Sequence, residues 1–370
     1  MTSSILRRLG ALSLALAVTG GLVAAAPQAS AAPPAGSPDT AATWLTQQLT
    51  QGVIHDEQYD FDDYGLTADT GFALAAIEGQ SPALRTLRKA LGKHVRSWTT
   101  GVDFGSADVY AGSTAKALVF AQTTGTDRKS FGGVNLAKQL EALVTASGAA
   151  KGRIHDQSTD DYANTIGQAY AANGLAAAGS PKAKSALKFL LEQQCSKGYF
   201  RLYFADASAT DQTCDGAATA ADRAADTDAT AIALVNLLSI ERLSPKAQDA
   251  LHKAISWLKR TQKADGSFGG GTATEASNSN STGLAGFALA QADWCPNASR
   301  AAAWVAKLQI AGAVAGTPLK GESGAIAYDR KSFNAAKKNG IGVEQRDQFR
   351  RATAQAAPVL LYGAGVGCPG

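Results

Sequence analysis

The chain has 370 residues, of which 45% are hydrophobic and only 18% charged, against roughly 25% charged residues in an average soluble protein. A chain of this length and composition can bury a large core. The formal charge at pH 7 is +4, and no lysine- or arginine-rich run contains interleaved aromatic residues. Both features argue against nucleic acid as a partner.

The N-terminal 31 residues have the features of a cleaved secretory signal. Arg7 and Arg8 precede an apolar run over residues 9–23, and the small residues Ala29, Ser30 and Ala31 follow. The apolar run is shorter than the roughly 20 residues that a transmembrane helix needs. We therefore predict a secreted, extracellular chain with a signal peptide over 1–31, a flexible linker over 32–40 and no integral membrane segment in the mature protein.

Four cysteines follow the predicted signal, and export makes two disulfides plausible because the compartment is oxidising. Four cysteines allow three pairings. Spacing favours Cys195 with Cys214 across a short loop, and Cys295 with Cys368 at the chain end. No C-x-x-C spacing occurs, which argues against a structural zinc site, and we predict no metal and no cofactor.

A short signature, glycine followed two residues later by isoleucine or phenylalanine, recurs along the chain. Its copies begin at Gly52, Gly152, Gly198, Gly266 and Gly324, with a looser copy at Gly101. In three copies a glutamine stands four residues before the glycine, and a large apolar residue stands four or five residues before the glutamine. These pairs are Trp44 and Gln48, Phe189 and Gln194, and Trp257 and Gln262. In the last unit, Trp304 and Gln309 keep the spacing between the apolar residue and the glutamine. The pattern predicts a helix whose exposed terminal carbonyls are held by the glutamine amide, followed by a glycine with positive φ.

Two kinds of helix alternate around these signatures. Amphipathic helices, which we predict to be outer helices, cover residues 81–98, 136–144, 180–194 and 244–262. Helices that are apolar nearly all round, which we predict to be inner helices, cover residues 67–77, 113–122, 165–178, 227–239, 281–292 and 353–361. The chain is thus predicted to be all-α, built from six pairs of helices.

The six inner helices are predicted to close into a ring. The first and last of them are as apolar as the others, whereas an open solenoid needs polar capping repeats. We expect one domain over 41–363, a C-terminal tail over 364–370 tied by Cys368, and Trp44, Trp257 and Trp304 buried between the two layers. Pro358 should kink or end the sixth inner helix. The starts of the inner helices should share one rim, marked by Thr67, Ser113, Thr165, Asp228, Ser281 and Thr353.

Residues 262–270, Gln-Lys-Ala-Asp-Gly-Ser-Phe-Gly-Gly, resemble the repeat of the prenyltransferase and squalene-cyclase family. Residues 226–231, Asp-Thr-Asp-Ala-Thr-Ala, are similar to the opening of inner helices in that family and in cobalamin-carrier proteins of the same architecture. The resemblance covers nearly all of the predicted mature chain. It implies an α/α toroid of six inner and six outer helices with a cavity at one end. It does not imply a particular activity, because this fold has several functions.

The resemblance also raises the question of catalysis. Type II terpene cyclases carry a D-x-D-D-T-A motif whose middle acid protonates an alkene. Asp226 and Asp228 match the first two acids, but Ala229 replaces the third. Residues 60–63 contain all three acids, but Tyr64 and Gly65 follow them in place of the threonine and alanine of the motif. We therefore predict no working cyclase and interpret Asp228 as a helix cap whose hydrogen bonds lower its pKa.

Polar residues before the first three inner helices are the candidate ligand-binding residues. They are His55, Asp62, Asp63, Tyr64, Tyr110, His155, Asp161 and Tyr162. One interpretation is structural, with caps and local hydrogen bonds. The other is a polar mouth above an apolar cavity, since small-molecule sites place a few polar groups on an apolar wall.

No complete catalytic motif is present, so the favoured prediction is a secreted binding protein that holds an amphipathic small molecule or a protein partner at the mouth of the ring. One alternative is a glycan-active hydrolase or lyase that uses carboxylates of the 56–63 and 156–161 loops. The other is an enzyme like the terpene cyclases, with Asp226 and Asp228 as catalytic residues.

Overall fold

The computed structural model describes residues 36–79, 81–126, 130–312 and 316–363. The helices are α1 Pro38–Gln47, α2 Tyr64–Glu78, α3 Pro82–Lys93, α4 Val95–Thr99, α5 Ala111–Thr123, α6 Leu136–Ala142, α7 Thr165–Ala177, α8 Ala183–Glu192, α9 Thr227–Leu238, α10 Pro245–Thr261, α11 Ser279–Gln291, α12 Cys295–Ala306, α13 Arg330–Asn339 and α14 Val343–Ala356. Short 3-10 helices cover Val102–Phe104 and Ala357–Tyr362. The strands of one small antiparallel sheet are β1 Leu49–Thr50, β2 Val53–Asp56 and β3 Phe61–Asp63.

Six helices form the inner layer: α2, α5, α7, α9, α11 and α14. Each packs against the next, and α14 packs against α2, so the contacts run in cyclic succession. Glycines allow some of these close approaches. A Cβ at Gly71 would lie 2.5 Å from the Phe120 ring, and one at Gly283 would lie 2.3 Å from the Ala356 backbone. The predicted all-α fold is confirmed.

The outer helices α3, α6, α8, α10 and α12 each contact the inner helix that pairs with them, and α1 contacts both α2 and α14. Their starts follow common sequence rules. Ser37, Ser81 and Ser244 each accept a backbone N–H bond at a helix N-terminus, and a proline follows each serine at the first helical position. Helix α1 begins at Pro38, within the segment predicted to be a linker.

The structure explains the repeated glycine of the signature. Gly152, Gly198, Gly266 and Gly324 all have φ between +92° and +103°. A Cβ on these residues would lie only 2.0–2.6 Å from a carbonyl oxygen of another outer helix: Ser185, Lys253, Arg300 and Thr40, respectively. The signature therefore permits close contact between one repeat and the next, as well as the turn itself.

The residue two positions after the glycine is held by the inner layer. The N–H groups of Ile54, Phe200, Phe268 and Ile326 donate to the hydroxyls of Thr67, Thr230, Thr282 and Thr353, at 2.8–2.9 Å. In the third repeat, Gln168 Oε1 accepts the equivalent bond from Ile154. A side chain of the inner helix thus fixes each turn to the core.

The predicted role of the glutamines is only partly right. The Gln194 and Gln262 amides donate to the carbonyl of their own signature glycine, and also to Ala250 and Asn297 of another outer helix. Only Gln48 donates to its own helix, at Trp44 O. The glutamine therefore connects neighbouring repeats more than it caps a helix end.

The sixth inner helix begins ten residues earlier than predicted, at Val343. Thr353 therefore lies in the later part of α14 and does not mark a helix start. Pro358 has the predicted effect, since α14 ends at Ala356 and a 3-10 helix follows. The ten additional residues are mostly charged or polar, so the hydrophobic pattern did not show them.

The tryptophan predictions hold for one residue. Trp44 is fully buried and its indole N–H donates to Glu322 at 2.8 Å. Trp257 and Trp304 are only half-buried; Trp257 packs against Tyr199, and Trp304 donates to Asp265. Both residues belong to outer helices and are partly exposed, so the predicted full burial between the two layers is wrong for them.

The predicted Cys195–Cys214 disulfide is confirmed, with the two Cα atoms 4.9 Å apart. It closes the loop between α8 and α9 and contacts Tyr199 and Trp257. The second predicted pair, Cys295 with Cys368, stays a prediction because Cys368 lies outside the described residues, as do the predicted signal peptide and C-terminal tail.

Candidate functional site

The loops before the inner helices share one rim of the ring. Backbone hydrogen bonds join loops of successive repeats: Val109 to Gln157, Thr165 to Leu202 and Ser279 to Tyr328. Arg350 donates to His55 O at 2.7 Å, which connects the last repeat to the first. We call this end of the ring the N-terminal rim. It carries all the predicted ligand residues.

In the first repeat, the predicted ligand residues bond to one another and to their own helix. His55 Nδ1 lies 3.0 Å from Asp62 Oδ1, and this hydrogen bond is the main cause of a raised His55 pKa. Asp63 accepts from Leu66 N as the N-cap of α2 and pairs with Arg351. Tyr64 stacks on His94 with ring centroids 5.5 Å apart.

The remaining predicted residues are separate from this group. Tyr110 precedes α5 and donates its N–H to Thr99 O. His155 Nδ1 lies 3.4 Å from Thr145 Oγ1, and Asp161 pairs with Arg153 at 2.9 Å. Tyr162 is 76% exposed. These contacts fit the structural interpretation of the loops, and the predicted role in ligand binding stays a prediction.

A cavity of about 360 Å³ lies at the centre of the ring, and none of the eight predicted ligand residues lines it. Its lining comes from the middle and last turns of all six inner helices. Thr123, Ser239 and Gln291, at the ends of three of these helices, line it and are exposed. The cavity, which we call the axial cavity, therefore opens at the end of the ring opposite the N-terminal rim.

The walls of the axial cavity are mainly aromatic and aliphatic. Phe72 and Tyr170 stack with their ring centroids 6.0 Å apart, and burial raises the pKa of Tyr170. Val235, Leu284 and Phe287 form the facing wall. Because Tyr170 stays neutral, this surface offers a ligand apolar contact and one phenol group.

Amide side chains add a few polar positions to these walls. Asn173 Nδ2 donates to Asn236 Oδ1 at 3.0 Å across α7 and α9. Gln291 donates to the Tyr362 hydroxyl at 2.9 Å near the open end. Such isolated amides on an apolar wall can orient a ligand that has one or two polar groups.

Polar pairs separate the axial cavity from the N-terminal rim. Lys116 Nζ lies 2.7 Å from Asp69 Oδ1, and both side chains are less than one-fifth exposed. Asn280 donates to Gln355 Oε1 at 2.8 Å on the other side. Asp69 and Gln355 also line the cavity, so its inner end is polar.

The interpretation of Asp228 as a helix cap is wrong. The N-cap of α9 is Asp226, which accepts from Ala229 N at 2.8 Å. Asp228 is in the first helical turn, and its buried Oδ1 has no hydrogen-bond partner among the residues that the structure describes. Burial raises its pKa to about 6, the neighbouring charge of Asp226 adds to the shift, and the Ser281 hydroxyl opposes it. The shift is opposite in direction to the one predicted for a cap.

A glycine-rich segment encloses the two carboxylates. A Cβ at Gly271 would lie 2.2 Å from Asp226 Oδ2, and one at Gly270 would lie 3.2 Å from Asp228 Oδ2. On the rim, Tyr328 has a raised pKa, caused mainly by burial and secondly by the charge of Asp228. Asp228 is therefore an enclosed acid near the rim, whereas α9 lines the axial cavity from Ala231 onward.

Within the described ranges, no group of three or more histidine, cysteine or carboxylate side chains could hold a metal ion. None of the helices in that part of the chain has the length and apolarity needed to cross a bilayer.

No protein-family model matches the sequence, and no curated protein matches it either. Solved structures do resemble it over 88% of its length. A protein from Actinoplanes has a TM-score of 0.57 at 16% identity, with 99% of that chain covered. A type II terpene cyclase from Scytonema, in complex with geranylgeranyl dihydroxybenzoate, has a TM-score of 0.55 at 16% identity and 96% coverage. An unsaturated glucuronyl hydrolase specific for heparin has a TM-score of 0.57 at 12% identity and 95% coverage.

These likenesses identify the fold as an α/α toroid. At such low identity they carry no information on substrate or reaction, because the same scaffold holds a cyclase and a glycan hydrolase.

Proposed function

We propose that the protein binds a small amphipathic molecule in the axial cavity. The observation that carries this proposal is the cavity itself, about 360 Å³ in volume, with aromatic walls and a few amides. Its size falls within the range of ordinary small-molecule sites. The site is a recessed cavity, which suits a small molecule better than a protein partner.

The distribution of polar groups indicates how the ligand lies. Gln291 and Ser239 are at the open end, and Asp69 and Gln355 are at the inner end. Phe72, Val235 and Phe287 lie between them. A ligand with an apolar body would occupy the middle, where burial of apolar area contributes roughly 25 cal/mol per Å², and its polar groups would reach one end or both.

Blocking the axial cavity should weaken binding. Val235 is half-buried and faces the cavity, so Val235→Trp would fill part of it. We expect at least about tenfold weaker binding of a neutral naphthalene fluorophore, a loss of about 1.4 kcal/mol, measured by fluorescence titration. Native mass spectrometry of protein from culture medium should also show a bound small molecule in the wild type and none in the variant.

The matched control is Val343→Trp, because Val343 is 54% exposed and lies outside the axial cavity. It should bind the fluorophore as the wild type does. Equal affinity in Val235→Trp and the wild type, with both folded by circular dichroism, would contradict binding in this cavity.

Asp228 supports a second candidate function, an enzyme that uses this carboxyl as a proton donor. A buried acid with a pKa of about 6 is suited to general acid catalysis near neutral pH. An acid with this pKa protonates an alkene poorly, so transfer of its proton to an oxygen atom is the favoured reaction. The test substrate is an unsaturated heparin saccharide, and geranylgeranyl dihydroxybenzoate serves as the alkene comparison. Turnover of the saccharide that disappears in Asp228→Asn would establish this candidate in place of a pure binding protein.

We further propose that the chain is secreted after cleavage near Ala32. The Cys195–Cys214 disulfide supports this, since disulfides persist in oxidising compartments. The N-terminal peptide of the protein from the medium should begin at or near Ala32. Mass-spectrometric detection of a peptide that contains Arg7 in that protein would refute cleavage.

A further inference from the structure

A strongly basic groove lies on the outside of the ring, away from the axial cavity. It has a volume of about 1030 Å³ and is bounded by α8, the loop after α6, and the segment between α9 and α10. Of the sixteen lining residues in the described part of the chain, six are cationic and none is acidic. The six are Lys151, Lys182, Lys184, Lys188, Arg242 and Lys246.

The charge of this basic groove is mostly uncompensated. Lys188 pairs with Glu192 at 3.3 Å, whereas the other five cations form no ion pair within the part of the chain that the structure describes. The whole sequence carries a formal charge of only +4, so the groove is a local concentration of positive charge. A cleft lined by one sign of charge focuses the field and attracts a ligand of opposite sign.

The cations occupy two sides of the basic groove. Lys182 and Lys184 are at the N-terminal end of α8, whose dipole adds partial positive charge there. Arg242 and Lys246 come from the segment before and at the start of α10. An extended anionic chain lying between these sides could contact both at once.

The floor of the basic groove is aliphatic. It includes Leu187, Leu191 and Ile240, and none of the described residues that line the groove is aromatic. Nucleobases and sugar rings bind proteins largely by stacking on aromatic side chains, so the groove offers them no such platform. Five of the six cations are lysines, which bind phosphate as point charges without requiring a planar partner.

We propose that the basic groove binds a linear polymer of phosphate groups that carries no bases. Ammonium groups on both sides would contact successive phosphates, and short aliphatic or polyol linkers, where present, would lie on the floor. This site is independent of the axial cavity, so the two can be tested separately.

Short-chain inorganic polyphosphate is the first probe and poly(glycerol phosphate) is the second. We expect calorimetric titration to show binding of polyphosphate that weakens steeply as sodium chloride is raised, because the contacts are ionic. Tighter binding of poly(glycerol phosphate) at equal charge would identify a polymer with linkers as the ligand, and tighter binding of polyphosphate would identify the polymer without them. An oligothymidylate of equal charge should bind less tightly than either; if it binds more tightly than both, the proposal is wrong.

The double variant Lys184→Glu with Lys246→Glu tests the location, because both side chains are exposed and line the basic groove from two different helices, α8 and α10. We expect it to bind polyphosphate at least about tenfold more weakly. The control is Lys331→Glu with Lys338→Glu on α13, which makes the same change in net charge outside the groove and should alter affinity by less than about twofold. Equal losses in the two variants, or no binding by the wild type at low salt, would overturn the proposal.

Discussion

Gly152→Ala should lower the free energy of unfolding by about 2–5 kcal/mol. Gly152 has φ of +96°, where a side chain is strained, and an added Cβ would lie 2.0 Å from the Ser185 carbonyl oxygen. The strain costs roughly 1–2 kcal/mol, and the backbone shift needed to relieve the overlap adds about 1–3 kcal/mol. Urea unfolding followed by circular dichroism measures the difference.

Gly148→Ala is the matched control, four residues away in the same loop. Gly148 has φ of +77°, but a Cβ there would meet nothing within 4 Å. It should therefore cost only the strain of the backbone, about 1–2 kcal/mol. If the two variants lose the same free energy, the signature glycine serves the turn alone and not the contact between repeats.

Asp228→Asn should raise the free energy of unfolding at neutral pH by up to about 3 kcal/mol. The Asp228 pKa is about 6 in the folded protein, against about 3.9 in an unfolded chain. At pH values between these two pKa values, the folded state binds the Asp228 proton more tightly than the unfolded state does. The free energy of unfolding therefore falls as the pH rises from about 4 to 6. At about pH 7.5 the buried carboxylate is ionised at a cost of about 3 kcal/mol, which the neutral amide avoids.

Thermal unfolding tests this expectation. For a domain of this size, about 3 kcal/mol corresponds to about 4 °C in Tm, and the difference between variant and wild type should vanish near about pH 4. Asp249→Asn is the control, since Asp249 is exposed and pairs with Lys253; its Tm should change little at either pH. A loss of stability in Asp228→Asn at both pH values would indicate that the carboxylate is held by hydrogen bonds, as in a cap.

The proposed functions depend on these results in different ways. A stabilised Asp228→Asn variant that keeps its bound molecule would show that the acid is costly to the fold and unnecessary for binding. Proteins retain destabilising buried acids mainly at functional sites, so that outcome would also be a reason to look for proton transfer there.

Local sequence features determined most of the helices. Five of the six inner helices were predicted to within three residues at each end, because long apolar segments between polar turns are a strong signal. The glycine signature predicted the positive φ correctly at Gly152, Gly198 and Gly266. The sequence also indicated the Cys195–Cys214 pair, because only a short loop separates these two cysteines.

The start of α14 depended on tertiary contacts. Its first ten residues are mostly polar, and hydrophobic periodicity does not mark them. In the structure, Arg350 pairs with Glu57 and Arg351 with Asp63, both from the first repeat. Partners nearly the whole chain apart stabilise this polar helix, and no local pattern contains that information.

The location of the candidate site was likewise decided by the tertiary structure. An inner helix that is apolar all round does not show which side faces the ring axis, so Phe72, Tyr170 and Phe287 could not be distinguished from core residues by periodicity. The predicted acidic loops lie at the other end of the ring. The pKa of Asp228 depends on burial that Gly270 and its neighbours help to provide from the next repeat. The sequence determined which residues are helical and where the chain turns. The axial cavity and the raised pKa of Asp228 both require enclosed space, which forms only when distant repeats pack together.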